Sequence, residues 1–329
     1  MSGSSRNNTA MSSGNQALKT SPFSVLTPAA HLLHECRTPE EFSSRFESST
    51  TKSPRSVVDQ VIDPAAPKAV FLTGSLPLGM ATNGSDVDFV VLIDSKDVVP
   101  SRGDAARINT DQHLEFVNES DPLRAALFIS VLNGITVEVT PVITSAIKRV
   151  YGRLRAKGPE LSEGEIMTLG RLSTGWLLWE SEGYLERNQL NLGDPALNVY
   201  CCTKHFAFAL IYTLKARRAL ELSDLPQALH LGRLGVEMAY LAYFASEGFP
   251  YLGAKWLAQI GHARGAAERV SRHPLLKEAV PLLFPTYRSD PEEVACYLRE
   301  VAQFQAAMKG LITRKTLYRI AFETCPQIS

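Results

Sequence analysis

The segment from Ala69 to Ile93 limits the possible folds more than any other part of the chain. Both of its ends are apolar, AVFLT at 69–73 and FVVLI at 89–93, and each has the length and composition of a buried strand. Gly74-Ser75 follows the first of these directly, and Asp86-Val87-Asp88 leads into the second after ten intervening residues. We therefore predict two strands, with a tight turn at the end of one and two carboxylates at the start of the other.

These residue types at this spacing fit the binding of phosphate and metal. A glycine allows a sharp turn after the strand. Ser75 then offers a hydroxyl and a backbone N–H at the start of a short predicted helix, an arrangement that binds phosphate oxygens. Because side chains alternate along a strand, Asp86 and Asp88 point to the same side while Val87 turns into the core. Two such carboxylates repel each other unless a divalent cation lies between them, and Mg²⁺ prefers oxygen ligands. The structural alternative is an ordinary turn capped by the aspartates.

This combination resembles the signature of the DNA polymerase β-like nucleotidyltransferase superfamily: an apolar strand, Gly-Ser, a spacer of about ten residues, then Asp-x-Asp. The form Gly-Ser-x-x-x-Gly with Ser-Asp-x-Asp is most similar to the small-molecule branch, which includes the aminoglycoside (kanamycin-type) enzymes. The residues that carry the resemblance are Gly74, Ser75, Gly79, Ser85, Asp86 and Asp88. It implies an α+β fold, with an N-terminal mixed sheet and flanking helices followed by an all-α helical bundle.

The resemblance also implies an activity and its cofactors. A nucleoside monophosphate, AMP from ATP, would pass to a hydroxyl of a small-molecule acceptor with release of pyrophosphate. Asp86, Asp88 and a third carboxylate from a neighbouring strand would bind two Mg²⁺ ions. Glu138 is the candidate third carboxylate, because it lies on the polar face of the alternating segment ITVEVTPV, although that face could also be solvated. Glu115 in HLEFV is the rival. The implied nucleotide-binding residues of this region are Gly74, Ser75 and Ser85.

From about residue 160 the pattern changes to helices. Ser162-x-x-Glu165 is typical of a capping box and predicts a long helix toward Arg187. Aspartates, two of them directly before a proline, predict three further helix starts. These helices run from Asp194-Pro195 toward Leu220, from Asp224 toward Ala245, and from Asp290-Pro291 past Lys309, and another is predicted over Lys255–Arg269.

We predict three parts of the chain: a largely disordered tail with possible short helices at 1–55, a catalytic domain at 56–150, and a helical domain at 151–329. In the tail, Thr38-Pro39 predicts a helix that ends near Phe46. The strands predicted in the catalytic domain are Ala69–Thr73, Phe89–Ile93, His113–Asn118 and Ile135–Val142. The segment before the last strand is ambiguous. Leu127–Leu132 before Asn133-Gly134 fits a hairpin arm, whereas Asp121-Pro122 fits a helix start.

The helical domain is expected to add positive charge and a general base. Lys204 falls on the apolar stripe of its helix, where a lysine is costly unless it contacts an anion or extends to solvent. The family commonly places a lysine from this region on the β and γ phosphates, so Lys204 is the candidate. Trp176, Trp179 and Glu180 fall on the long predicted helix. By resemblance, a glutamate from this region would be the base for the acceptor hydroxyl; Glu180 is the candidate and Glu182 its alternative, and core tryptophans beside solvated acids are the structural alternative.

Composition narrows the class of protein. Among 329 residues there are 34 basic and 34 acidic side chains, so no global positive field indicates a nucleic acid partner. No apolar stretch approaches the roughly 18 residues of a membrane span. The N-terminal residues show no signal pattern, and the five cysteines form no CxxC pair. We therefore expect a cytoplasmic protein without a disulfide framework or a zinc site.

Three other functions remain compatible with the motif. A protein-modifying (AMPylating) transferase of the toxin–antitoxin type, or a synthase of nucleotide second messengers, would share every core residue and differ only in its acceptor. A non-catalytic nucleotide-binding module is a rival of a different class. It is disfavoured because carboxylates held close together without a metal repel one another.

Overall fold

The structure is a computed structural model that describes residues 33–82, 85–99, 112–115, 123–156, 160–252, 268, 272–286 and 290–324. These residues form a mixed sheet with flanking helices, followed by a helical C-terminal region, as predicted. None of the helices in these ranges is long and apolar enough to cross a membrane.

The strands of the sheet are β1 (Ala69–Thr73), β2 (Val87–Ile93), β3 (Gln112–Glu115), β4 (Leu127–Leu132), β5 (Ile135–Ile143) and β6 (Trp176–Glu180). Their spatial order is β3-β4-β5-β2-β1-β6. Strands β2 and β5 are parallel, and the other neighbouring pairs are antiparallel. Strand β1 has the predicted bounds, and β2 begins two residues earlier than predicted. Residues 116–118 of the predicted third strand lie outside the described ranges.

A tight hairpin joins β4 to β5. Asn133 and Gly134 have φ values of 49° and 80°, and a two-residue turn of the I′ type requires positive φ at both of these positions. The segment 127–132 is therefore a hairpin arm. Asp121-Pro122, the start of the competing helix, lies outside the described residues. Asn133 Nδ2 also donates a hydrogen bond to the backbone oxygen of Ser49 (2.9 Å), which ties the turn to the N-terminal helix.

The helices of the described ranges are α1 (Pro39–Thr50), α2 (Pro54–Val58), α3 (Thr144–Arg155), α4 (Glu163–Thr174), α5 (Tyr184–Arg187), α6 (Pro195–Glu221), α7 (Leu225–Ser246), α8 (Pro274–Leu283), α9 (Pro291–Ile312) and α10 (Thr316–Glu323). The predicted aspartate caps are confirmed. Asp194, Asp224 and Asp290 each accept a backbone N–H of the first turn of α6, α7 and α9. The predicted helix at 255–269 lies outside the described residues, apart from Glu268.

The described part of the segment 1–55 packs on the sheet, although sequence analysis assigned it to a largely disordered tail with possible short helices. Thr38 caps α1 as predicted, and the helix extends one turn beyond its predicted end at Phe46. Phe42 and Phe46 are fully buried, with ring centroids 6.3 Å and 5.6 Å from that of Phe89 in β2. The predicted boundary at 55/56 falls inside α2, and the one at 150/151 falls inside α3.

The helix predicted to run from Ser162 to Arg187 is wrong in its second half. Helix α4 begins with the predicted capping box but ends at Thr174. A Cβ on Gly175 would lie 2.8 Å from the backbone oxygen of Leu72, so glycine lets the chain pass this close to β1. The chain then forms β6, which pairs with β1 at the edge of the sheet. The apolar and aromatic sequence WLLWE suits a strand once β1 is available as a partner.

The sheet separates two hydrophobic clusters. On one face, Leu72 and Phe89 pack with α1 and α2. On the other face, Phe71, Val90 and Leu92 join a cluster that includes residues of α3, α4 and the C-terminal helices as far as α10. Because alternate residues of a strand point to opposite faces, Thr73, Asp88 and Glu138 share this second face. Asp88 and Glu138, the predicted catalytic carboxylates on strands, therefore lie on the face of the sheet that α4 and the C-terminal helices cover.

Candidate functional site

Gly74 forms the turn after β1 in a conformation that another residue would strain. Its φ is +79°, and a Cβ on it would lie 2.1 Å from Oδ2 of Asp88. Both the backbone conformation and this close approach require glycine. The Asp88 carboxylate consequently packs directly against the Gly74 backbone.

The residues after Gly74 form consecutive turns, which corrects the short helix predicted at Ser75. The N–H of Gly79 donates to the backbone oxygen of Leu76 (3.0 Å), and that of Met80 donates to the oxygen of Ser75 (2.9 Å). Gly79 also has a positive φ, +65°. A left-handed residue interrupts a right-handed helix, so the chain folds back instead of continuing. Ser75 is largely buried in this turn.

Asp88 lies between Thr73 and Glu138 across three strands. The register pairs Asp88 with Thr73 of β1 on one side and with Glu138 of β5 on the other. Neighbouring strands are about 4.8 Å apart, and residues paired in this way point to the same face. Thr73 Oγ1 donates to the backbone oxygen of Asp88 (3.3 Å). Asp86 immediately precedes β2, two residues before Asp88, and is exposed. The register thus places Asp88 beside Glu138, and Asp86 precedes this pair by two residues along the chain.

Arg171 is a charged residue at these carboxylates that sequence analysis missed. Its Nη1 lies 3.4 Å from Oδ1 of Asp88, and the two side chains are 17% and 14% exposed. Its Nε is buried without a hydrogen-bond partner among the described residues. Arg171 lies in the last turn of α4, in the sequence LGRLS, which contains no recognisable motif. Only the folding of α4 onto the sheet brings it to Asp88.

The carboxylates are not arranged as a ready metal site. In the part of the chain that the structure describes, no group of three or more His, Cys, Asp or Glu side chains could hold a metal ion as placed. The donor set nevertheless fits a hard divalent cation, because it consists of carboxylate oxygens and two of its members, Asp88 and Glu138, share one face of the sheet. The absence of a Cβ at Gly74 leaves the space that the Asp88 carboxylate uses.

Ser85 closes the loop that precedes Asp86. Its Oγ accepts a hydrogen bond from the N–H of Thr82 (2.8 Å), and its own N–H donates to the backbone oxygen of Thr82 (2.9 Å). In this structure Ser85, which was predicted to bind the nucleotide, therefore makes these hydrogen bonds to Thr82.

Lys204 lies toward the opposite end of α4 from Arg171. Its Nζ donates to the backbone oxygen of Leu161 (3.3 Å) and lies 5.7 Å from the ring centroid of Tyr200. Leu161 precedes α4, whereas Arg171 is in its last turn, and the helical rise from Glu163 to Arg171 alone is about 12 Å. In this structure the Lys204 ammonium therefore contacts the segment that leads into α4, whereas Arg171 reaches Asp88 from the other end of that helix.

Glu180 and Glu115 also lie away from Asp88. Glu180 pairs with Ala69, whereas Asp88 pairs with Thr73 at the other end of β1, and these two ends of the strand are about 13 Å apart. Its Oε1 accepts a hydrogen bond from the N–H of Leu185 (2.9 Å) in α5. Glu115 is on β3, which β4 and β5 separate from β2. Of the two carboxylates considered as the third member, Glu138 is the one that the fold places beside Asp88.

A cavity of about 590 Å³ lies elsewhere, between α1 and β6. Among the described residues, its lining includes Glu40, Glu47 and Leu177 and no cationic side chain. Because a triphosphate is strongly negative, this acidic lining is unsuited to bind it.

One family model overlaps the segment that carries the predicted motif. Residues 55–141 match the model of the nucleotidyltransferase domain family. The matched range contains the Gly-Ser turn and all three carboxylates but not Arg171, and it supports the predicted superfamily. Among solved structures, the chain is similar to a nucleotidyltransferase-like protein from Exiguobacterium sibiricum 255-15, with 12% sequence identity and a TM-score of 0.40 over 79% of this chain and 75% of that one. No curated protein matches the sequence.

Proposed function

We propose that the chain is a nucleotidyltransferase that moves a nucleoside monophosphate from a nucleoside triphosphate to an acceptor hydroxyl. The observation that carries this proposal is the position of Asp88, beside Glu138 and against the Gly74 turn, within the range that matches the nucleotidyltransferase domain. In the reaction, the acceptor oxygen forms a bond to the α-phosphorus. The bond from that phosphorus to the β-bridging oxygen breaks, pyrophosphate leaves with the electron pair, and the hydroxyl proton passes to a base.

The carboxylates are proposed to hold the divalent cations. Asp86, Asp88 and Glu138 would bind Mg²⁺, with two ions expected for this type of site. When bound, the metal neutralises charge on the triphosphate and lowers the pKa of the attacking hydroxyl. Glu138 is also the proposed base in place of Glu180, because Glu138 is beside Asp88 whereas Glu180 is hydrogen-bonded to the N-terminus of α5.

The turn after β1 is proposed to bind the phosphates. Successive backbone N–H groups in a turn form a concave site for anions even without a helix N-terminus. The Ser75 hydroxyl would add one donor to these amides. We further propose ATP as the nucleotide and a small molecule as the acceptor. Both rest on the similarity of Gly-Ser-x-x-x-Gly and Ser-Asp-x-Asp to the small-molecule branch.

A turnover screen tests the proposal. The full chain is incubated with each nucleoside triphosphate and Mg²⁺ across classes of acceptor, and pyrophosphate release is measured. A labelled protein band would identify a protein acceptor instead, and a cyclic or oligomeric product formed without acceptor would identify a second-messenger synthase. Failure of every nucleotide to bind in the presence of metal would refute the proposal.

Asp88→Asn is the decisive variant in this screen. The amide keeps the volume of the side chain but loses the charge that binds the cation, so turnover should fall by far more than tenfold with the fold intact by circular dichroism. Asp97→Asn is the control, because Asp97 is exposed after β2 and should leave turnover unchanged. Retention of more than about a tenth of the activity, a loss under ~1.4 kcal/mol of transition-state stabilisation, would contradict the metal-binding role of Asp88.

A further inference from the structure

Asp88 is held on two sides in this structure. Its Oδ2 packs against Gly74, and its Oδ1 faces Nη1 of Arg171 at 3.4 Å. Both side chains of the ion pair are mostly buried, so the guanidinium is the cation that compensates the Asp88 charge. A divalent cation bound to the same carboxylate would repel the guanidinium across a few ångströms of poorly solvated space. Metal binding and the Arg171–Asp88 contact therefore oppose each other.

The Arg171 guanidinium is only partly satisfied where it lies. A single contact of 3.4 Å is long for a charge-assisted hydrogen bond, which is normally 2.7–2.9 Å. Its Nε is buried and has no partner among the described residues. By contrast, Arg124 lies against the same helix with its Nε donating to Oγ1 of Thr168 (3.0 Å). A buried donor without a partner is unfavourable, and a planar guanidinium pairs best with a group that offers two acceptor oxygens, such as a phosphate.

We propose that Arg171 is an exchangeable counter-ion. The Arg171 guanidinium pairs with Asp88 before the substrates bind. When Asp88 binds the divalent cation, the guanidinium moves away from Asp88 and pairs with the triphosphate instead. The inference rests on the proposed function, because it requires a triphosphate and a metal at this site. The negative charge of Asp88 is thus balanced at every stage, first by Arg171 and then by the metal. The metal repels the Arg171 guanidinium, which is then free to bind the nucleotide.

The proposal differs from a purely structural role in the signs of two measurable effects. If Arg171 only supported the fold, its removal would weaken the binding of both ligands or of neither. If it is an exchangeable counter-ion, its removal strengthens binding of the metal alone, because no cation has to be displaced. The same change weakens binding of the nucleotide, because a phosphate contact is lost.

The experiment uses the full chain as wild type and as Arg171→Gln. Binding of Mn²⁺ without nucleotide is followed by the electron paramagnetic resonance signal of the free ion, and binding of ATP is measured at saturating Mn²⁺. We expect Mn²⁺ affinity to rise at least about threefold in Arg171→Gln and ATP affinity to fall at least about tenfold. Arg153→Gln is the matched control, because Arg153 pairs with Glu165 at the start of the same helix, and it should change neither affinity.

Each other outcome has a defined meaning. Unchanged or weaker Mn²⁺ binding by Arg171→Gln overturns the counter-ion role, and unchanged ATP binding overturns the triphosphate role. If Arg171→Gln does not fold, Arg171→Lys replaces it. That variant keeps the charge, so Mn²⁺ affinity should stay at the wild-type value while ATP affinity falls at least about threefold, and an unchanged ATP affinity overturns the proposal. Wild-type protein that binds neither Mn²⁺ nor ATP refutes the proposed function itself, which separates the two failures.

Discussion

Gly74 and Asp88 constrain each other as single residues. The positive φ of Gly74 turns the chain sharply at the end of β1, and its missing side chain leaves room for the Asp88 carboxylate. The same carboxylate then contacts Arg171 on its other oxygen. One turn residue therefore affects the position of a proposed metal ligand on β2 and, through it, the position of the Arg171 guanidinium from α4.

Gly74→Ala should test this dependence. The new methyl group would clash with Oδ2 of Asp88, and the backbone would be held at a φ that alanine avoids, so we expect unfolding in urea to show a loss of about 1–3 kcal/mol together with strongly reduced turnover. Gly152→Ala is the control, because a Cβ there meets no atom within 4 Å and the residue lies inside α3. It should be neutral or stabilising by up to about 1 kcal/mol. Equal stability of the two variants would argue against the constraint.

Sequence alone could identify the residues of the motif but not their partner from the helical region. Gly74, Asp86 and Asp88 are recognisable because the motif depends on local spacing within one strand–turn–strand segment. Arg171 contacts Asp88 across 83 positions of sequence, and nothing in its neighbours marks it. Lys204 was the cation predicted from sequence, because a lysine on an apolar stripe suggests a charge that points inward. In the structure its ammonium donates a hydrogen bond to the backbone oxygen of Leu161.

At the scale of elements, the starts of helices were more predictable than their ends. The capping box of α4 and the aspartate caps of α6, α7 and α9 are local hydrogen bonds, and they form where the sequence predicts them. The end of α4 depends on the close approach of Gly175 to Leu72, a contact between distant segments. Trp176 and Glu180 therefore looked helical in sequence but lie on a strand, because β1 offers an unpaired edge.

His205 on helix α6 predicts that the stability of the fold depends on pH. Burial lowers the pKa of His205 to about 4, with repulsion from Lys204 as a smaller cause. Because the unfolded chain has a histidine pKa of about 6.5, it binds a proton more readily than the fold does between these values. The contribution of neutral His205 to the free energy of unfolding is therefore fully present above pH 6.5 and is lost as the pH falls toward 4.

His205→Gln isolates this contribution. Between pH 7.5 and pH 4.5, wild-type protein should lose up to about 3 kcal/mol of unfolding free energy more than His205→Gln does, as measured by urea titration at each pH. Carboxylates also titrate in this range, but they are common to both proteins and cancel in the comparison. Parallel stability curves for the two proteins would mean that His205 is protonated in the fold as easily as in the unfolded chain.

At the scale of the whole molecule, one face of the sheet shares a hydrophobic cluster with the C-terminal helices. The hydrophobic cluster on the helical face contains Phe71 and Leu92 of the sheet together with residues as distant in sequence as Phe322 of α10. The predicted boundary at 150/151 falls within α3, one of the helices that cover this face. Chain segments that bury the same apolar surface should unfold together.

Unfolding of a Trp256→Phe variant tests this cooperativity. The chain has three tryptophans, and this change leaves Trp176 and Trp179, both on β6, as reporters of the sheet. Tryptophan fluorescence should then follow the sheet, while far-ultraviolet circular dichroism follows mainly the helices. We expect the two urea transitions to coincide in midpoint and slope. Separate transitions would mean that the sheet and the helical region are independent folding units.

The return of the chain to the sheet as β6 has a consequence for modularity. The segment 55–141, which carries the family match, ends before the last strand of its own sheet and before Arg171. Recombination that exchanged only this segment would leave β1 with an exposed edge and Asp88 without its counter-ion. The smallest segment that could be exchanged with its sheet complete therefore extends through β6, and only the helices after that strand could be replaced without removing part of the sheet.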